Sequence, residues 1–489
     1  MRTPRVAIIG AGQSGIGMAV RLKRAGIDTF RVYEAREGIG GTWHANTYPG
    51  LYCDVPSRNY QYRFAPNPNW SRLFSPGAEI RSYVEQVARD HDILRHISFS
   101  TEVEEARFAD GAWSVRTNDG EQETFDFVIT AAGALVHPRT PSIPGLDTFA
   151  GDRCHSAEWD HAISVAGKRV AVIGTGSTGM QLTRAIAPVA ARFELFQRTP
   201  QWVLPLVNPP YTTLGRSVMR RFPALNLRSY RLWQRAIEGT FGIAVIRTGW
   251  QRRLVAGLCR LHLRTVKDPD LRRRLTPDYP PGCKRLVMGS GFYKLFERPT
   301  VSLVDTPIDH VEPRGIVTAD GVLHELDVLV TATGFVTNTY VLPMEFLGTE
   351  GRRLTEVWDP QPFGYRTVAT PGFPNVFMLI GPHSPFGNQS LFAISETQAD
   401  FAMQWIERWR RGEFETVAPT EEATARFNAE MKAAVPNTIW AAGCDSWYLG
   451  ADGTPEMWPW TAAHHGEVLR TPVPGDWELK RVREVSGAG

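Results

Sequence analysis

The chain is poor in cysteine. Only Cys53, Cys154, Cys259, Cys283 and Cys444 occur in 489 residues, and no two form a Cys-x-x-Cys pair. That excludes a disulfide scaffold, a zinc ribbon and a dithiol redox pair, and predicts a reducing, cytoplasmic setting with no metal site. Long apolar runs are missing too. None approaches the roughly 18 residues of a membrane span, the longest clean stretch being about Phe241 to Ile246. The N-terminus does not resemble a secretory leader, since Arg5-Val6-Ala7-Ile8-Ile9 enters a glycine motif at once, with no cleavage site after an apolar core. Neither sign of charge dominates: 54 basic and 51 acidic residues leave a net +3, so whole-molecule nucleic-acid binding is not expected. With 43% hydrophobic and 21% charged residues the chain is neither disordered, collagen-like nor coiled coil. What it has in quantity is aromatic surface, 15 Trp, 24 Phe and 13 Tyr, suited to large cores and to stacking on planar groups.

The length predicts about three domains, or two with insertions. Val6 to Ile9 reads as a buried strand, Gly10-Ala11-Gly12-Gln13-Ser14-Gly15 as a turn, Ile16 to Ala25 as a helix, and Thr29 to Tyr33 as a second strand ending on Glu34. The pattern recurs 164 residues later. Arg169 to Ile173 is a strand, Gly174-Thr175-Gly176-Ser177-Thr178-Gly179 the turn, Met180 to Ala187 the start of a helix, and Phe193 to Phe196 the next strand. Two further strands close on small residues, Phe125 to Gly133 and Leu326 to Gly334, where a chain returns to a nucleotide domain after an insertion. The fold class is therefore α/β, with two Rossmann-like dinucleotide-binding domains. Residues 1–148 form the first part of one, 149–210 and 281–334 the other, 211–280 a helical insertion, and 335–489 a return to the first domain with a C-terminal cap.

A single Gly-x-Gly-x-x-Gly is weak, but two, each between strand and helix, point to two dinucleotide sites. Glycine lets the backbone approach a pyrophosphate at the positive end of a helix. The residue that ends the second strand sharpens this. Glu34 stands 24 positions after Gly10, where an acid binds ribose hydroxyls and repels a 2′-phosphate, as FAD or NAD requires. Arg198 stands 24 positions after Gly174, with Thr199 beside it, and a guanidinium there favours the 2′-phosphate of NADP. FAD plus NADPH makes a hydride path, and with no dithiol to accept electrons molecular oxygen is the natural acceptor.

The stretch Phe149-Ala150-Gly151-Asp152-Arg153-Cys154-His155-Ser156-Ala157-Glu158-Trp159-Asp160 resembles the F-x-G-x-x-x-H-x-x-x-W-P/D fingerprint of type I Baeyer–Villiger monooxygenases. Gly40-Gly41-Thr42-Trp43, then Tyr48-Pro49-Gly50 and Asp54, resembles a second motif of that family. The resemblance runs from about Val6 to Leu391 and more weakly to Trp447. It implies an FAD- and NADPH-dependent monooxygenase that inserts one oxygen atom next to a ketone carbonyl through a C4a-peroxyflavin. Its site residues are implied as follows. Arg285, in Gly282-Cys283-Lys284-Arg285, is the active-site arginine, held by Asp54 in a bidentate pair. Gly10, Gly12, Gly15, Glu34, Gly41, Thr42, Trp43 and Asp54 border the flavin. Gly174, Gly176, Ser177, Thr178 and Gly179 border NADP, with Arg198, Thr199 and Lys284 on its 2′-phosphate, while Val103, Gln181, Thr333, Leu391 and Trp447 complete the cofactor contacts. Phe149, Gly151, His155 and Trp159 form the link between domains.

Physical chemistry agrees with these roles. A guanidinium stabilises an anionic oxygen without donating its proton, because its pKa is above about 12. The loop Gly381-Pro382-His383-Ser384-Pro385 keeps the family's start but ends on Ser390-Leu391, where many members have Asn-Met. The alternative activity is oxidation of sulfur or nitrogen in a soft nucleophile, and a third class is a flavin-bearing redox regulator. The partners expected are a small apolar ketone and molecular oxygen. Segment 211–280 carries 15 of the basic residues against four acids, with Leu232, Trp233, Ile237, Leu254, Leu258 and Leu261 at helical spacings. It reads as a solvated helical cap, and neither nucleic acid nor membrane-surface contact is expected of it.

Overall fold

The computed structural model describes residues 1–385, 387, 389–444, 448–450 and 452–481. Val6–Ile9 is a strand buried at every position, as a short apolar run bounded by glycine requires of a strand covered on both faces. It lies at the centre of a five-stranded sheet ordered Val376–Met378, Phe127–Thr130, Val6–Ile9, Phe30–Tyr33 and Ile97–Ser98, each neighbouring pair parallel. Strand Arg169–Ile173 is likewise central to a second parallel sheet, ordered Val301–Val304, Arg192–Phe196, Arg169–Ile173, Val328–Thr331 and Asp152–His155. In both sheets the glycine turn leaves the central strand between two neighbours on opposite sides, the switch point at which such sheets bind ligands.

The first helix spans Gln13–Arg24, beginning three residues before the expected Ile16. Gly15 thus stands inside its first turn, because only glycine fits there: a Cβ would meet the Gly10 carbonyl oxygen at 1.9 Å. The C-terminal part returns to this first sheet. Strand Val376–Met378 pairs with Phe127–Thr130, and helix Leu391–Arg410 packs on helix Gln13–Arg24.

Two crossing segments join the sheets and run against each other. Pro138 bridges Phe335, Arg139 N donates to Gly334 O at 2.9 Å, and Val336 N donates to His137 O at 2.8 Å. Beyond strand Arg192–Phe196 come the helices Thr213–Arg221, Pro223–Ile237, Trp250–Leu263 and Pro269–Arg274. Among the described residues no helix is long and apolar enough to cross a membrane.

Cysteine brings a correction. Cys283 and Cys444 form a disulfide across 161 residues, with their Cα atoms 6.2 Å apart, while Cys53, Cys154 and Cys259 are free and buried. One bridge is not a scaffold, but the scatter of the five in sequence hid it, since bridging depends on approach in space.

Candidate active site

Both helices that follow a glycine turn have bare N-termini. Helices Gln13–Arg24 and Ser177–Ile186 start from Gly12 and Gly176 with no side-chain cap and no acid in the first turn. Thr212, Asp268, Thr420 and Thr461 cap other helices, whereas helices Trp250–Leu263 and Leu391–Arg410 also start without a cap or an acid. Uncapped N–H groups at the positive end of a helix suit an anion. The turns also need glycine for close approach: at Gly10 (φ 106°) and Gly174 (φ 119°) a Cβ would stand 2.5 and 2.4 Å from the carbonyl oxygens of Ala131 and Ala332. Gly176 faces open space, with nothing within 4 Å of such a Cβ. These bare, open turns fit two dinucleotides. Among the described residues no group of three or more His, Cys, Asp or Glu is arranged to hold a metal ion.

The strand ends differ in kind. Glu34 is 7% exposed; its carboxylate accepts from Ala11 N at 2.7 Å, inside the turn, and from Arg36 N at 3.0 Å. Burial raises its pKa and the two N–H donors pull it back. Each oxygen keeps a lone pair for a ribose hydroxyl. Arg198 is exposed at the end of strand Arg192–Phe196, next to Thr199, whose carbonyl accepts from Thr175 Oγ1 at 2.8 Å. Lys284 Nζ sits 5.0 Å over the ring of Tyr279, whose hydroxyl donates to Pro200 O at 2.9 Å. Through Tyr279 the structure brings Lys284 to the edge that carries Arg198.

Between the two turns lies the pair expected to carry the chemistry. Arg285 Nη2 donates to Asp54 Oδ2 at 3.1 Å, across 231 positions. The bidentate pair expected is instead this single hydrogen bond, and the arginine side chain is 44% exposed. The Asp54 charge raises the pKa of Arg285 beyond its usual range, fixing it as a cation. Tyr448 is buried against both charges; burial pushes its phenol up to about 12 and Arg285 opposes that, so it is neutral near pH 7.

Gln181, on helix Ser177–Ile186, reaches across to the first unit. Its Nε2 donates to Tyr52 O at 3.0 Å and its Oε1 accepts from Tyr48 Oη at 2.9 Å. It thereby holds the Tyr48 to Asp54 loop, a positioning task that sequence did not suggest. The disulfide at Cys283 ties the loop bearing Lys284 and Arg285 to Cys444. Trp447, three residues further on, lies outside the described residues.

The remaining expected residues are spread around these sites. Gly41 backs onto the first turn, a Cβ on it standing 3.0 Å from Gly12 Cα; Thr42 is exposed beside it, and Trp43 is buried edge-on to Tyr60. Val103 opens strand Val103–Ala109 and is buried, and Leu391 begins helix Leu391–Arg410. His155 ends strand Asp152–His155; its Nδ1 accepts from Ala157 N at 3.1 Å, leaving Nε2 3.5 Å from Thr333 Oγ1 at the crossing segment. Burial lowers its pKa, which keeps the ring neutral. Phe149 and Trp159 are buried, and a Cβ on Gly151 would stand 2.5 Å from Asp327 O.

A family model described as flavin-binding monooxygenase-like matches residues 3–226. Over 484 residues the chain is 51% identical to an uncharacterized monooxygenase of Mycobacterium tuberculosis, covering 99% of this chain and 98% of that one. It is 38% identical to a Baeyer–Villiger monooxygenase of Streptomyces coelicolor, covering 98% and 93%. The fold resembles the crystal structure of OTEMO in complex with FAD and NADP, with a TM-score of 0.88 at 28% identity over 98% of this chain and 100% of the other.

Proposed function

We propose that this chain, which belongs to the Baeyer–Villiger branch of the flavin-binding monooxygenase-like family, uses FAD and NADPH to insert one atom of molecular oxygen between the carbonyl carbon of an apolar ketone and its neighbour, giving an ester or lactone. The other oxygen atom leaves as water. The observation that carries this reading is Arg285, fixed as a cation beside Asp54 at the junction of the two glycine units.

When bound, FAD supplies activated oxygen and NADPH the two electrons. The chain's own residues do the rest. The bare turns at Gly10 to Gly15 and Gly174 to Gly179 hold the two pyrophosphates, Glu34 holds a ribose, and Arg198, Thr199 and Lys284 hold the 2′-phosphate. Gly41, Thr42 and Trp43 flank the flavin, and Val103, Thr333, Leu391 and Trp447 complete the cofactor contacts. Arg285 stabilises negative charge on the attacking oxygen and on the tetrahedral adduct while keeping its own proton. Asp54 aims the guanidinium, and Gln181 steadies the loop that carries Asp54. His155 sits beside the crossing segment at Thr333, and with Trp159 it passes motion of one unit to the other. A reductant held inside the cell puts the reaction in the cytoplasm.

The departure at Ser390-Leu391 favours one rival, oxidation of sulfur or nitrogen, which needs an electrophilic oxygen and no guanidinium to hold an anion. Arg285→Ala separates the two. Conversion of ketone to ester is expected to fall about 100- to 1,000-fold, the loss typical of one oxyanion donor, while NADPH oxidation persists and sulfide oxidation falls far less. Equal loss of ketone and sulfide oxidation in product analysis would overturn the assignment.

A further inference from the structure

We propose that the helical insertion docks on an anionic phospholipid surface through a second, outward apolar stripe on helix Trp250–Leu263. No part of this depends on the catalytic reading. The helix is apolar on two opposite sides. Val255, Ala256, Cys259 and Leu263 are buried. At 100° per residue they share one side. Trp250, Leu254, Leu258 and Leu261, at spacings of four, four and three, fall within an arc of about 80° on the other side. They are 59, 47, 38 and 62% exposed. A solvated cap needs only the first stripe; the second has no work to do in water.

The stripe is edged by Arg253, Arg260 and Arg264, all exposed. Helix Pro223–Ile237 repeats the arrangement, with exposed Leu225 and Leu232 one heptad apart and Arg228, Arg231 and Arg235 exposed beside them. Among the described residues none of these six arginines has an ion-pair or hydrogen-bond partner for its side chain. Several exposed arginines of the first unit are paired by contrast, as Arg63 is with Glu396 and Arg95 with Asp28. The insertion holds 15 basic residues against four acids, while the rest of the chain is net acidic.

This pattern selects its occupant. A second copy would set one strongly basic face against another. A nucleic-acid backbone matches the arginines and leaves the leucines in water. An anionic bilayer takes both: apolar side chains enter the acyl boundary, while arginines on long stems stay among the headgroup phosphates. Docked there, the enzyme meets the phase in which apolar molecules collect.

The test is flotation of the purified holoenzyme with vesicles of phosphatidylglycerol and phosphatidylcholine, or of phosphatidylcholine alone, with thermal melting and NADPH oxidation as controls. The wild type is expected on the phosphatidylglycerol vesicles, with binding weakened about tenfold in high salt. Leu254→Ser with Leu258→Ser and Leu261→Ser should reduce binding at least about tenfold, since apolar burial drives it, without changing melting or NADPH oxidation. Arg253→Gln with Arg260→Gln and Arg264→Gln should remove the preference for the anionic lipid. Absence of the wild type from phosphatidylglycerol vesicles at low salt overturns the proposal, as does equal binding of the leucine variant. So does a wild-type oligomer that the leucine substitutions dissociate, which would assign the stripe to a second copy.

Discussion

In the first glycine unit a Cβ on Gly12 would stand 3.5 Å from Gly41 Cα; in the second a Cβ on Gly176 would meet nothing within 4 Å. The strand ends differ in the same sense. Glu34 is buried and tied by its carboxylate to the turn through Ala11 N, whereas Arg198 is exposed and has no side-chain partner among the described residues. Two turns of one backbone design have been finished differently. The first is backed by the chain's own Gly40-Gly41 segment. The second is left open at a cationic edge.

The hardest way to break the comparison is to fill both turns. A Cβ on Gly15 or on Gly179 would lie 1.9 Å from a backbone carbonyl oxygen, of Gly10 and Gly174 respectively, and the backbone has nowhere to move. Gly15→Ala and Gly179→Ala are each expected to destabilise their own unit by about 3 kcal/mol or more. Gly15→Ala protein should purify without flavin colour. Gly179→Ala protein should keep the colour but no longer be reduced by NADPH. Gly176→Ala, with open space around it, should melt near the wild-type temperature and lose NADPH affinity alone. Loss of flavin from Gly179→Ala would show that the two units do not fold independently.

A smaller change should act on one side of the comparison only. Arg198→Ala removes a guanidinium from the open edge, and a charge-assisted contact of about 1.5–3 kcal/mol corresponds to a rise in KM for NADPH of about tenfold to a hundredfold. KM for NADH, which has no 2′-phosphate, should not move. Steady-state kinetics with both nucleotides decides it, and a parallel rise for NADH would mean that Arg198 serves the fold and not the phosphate.

What sequence reveals here follows how local the chemistry is. Each glycine turn, with its strand end, fits in about thirty residues, so Glu34 and Arg198 are legible as an opposed pair without any structure. Asp54 and Arg285 are 231 positions apart and were legible only because the motifs around each resemble a known family. Gln181 was read as a cofactor contact; that its side chain also holds Tyr52 and Tyr48 is set by how the two units pack. The role of Tyr448 beside Arg285, and the Cys283–Cys444 bridge, depend on the path of the C-terminal segment, which no spacing encodes. The insertion shows the same limit. Composition gave its charge and helical spacing its stripes, but only packing shows which stripe of helix Trp250–Leu263 is left outside.

The gentlest test of the contrast uses pH. Glu34 is a buried acid whose two oxygens are held by backbone N–H groups. Glu456, in the C-terminal segment, is 2% exposed, and neither of its oxygens has a hydrogen-bond partner among the described residues. Burial, with Asp452 adding to it, pushes the Glu456 carboxyl from 4.5 up to about 7. A folded-state pKa raised above the unfolded one means that stability is fully present below about 4.5 and is lost as pH rises to about 7. The slope contributed is at most one proton, about 1.4 kcal/mol per pH unit. Glu456→Gln cannot ionise and should flatten the melting temperature between pH 5 and pH 7 by about that slope. If the wild type shows no decline across this interval, or Glu456→Gln leaves it unchanged, then Glu456 has a partner that holds its charge, as Ala11 and Arg36 hold Glu34.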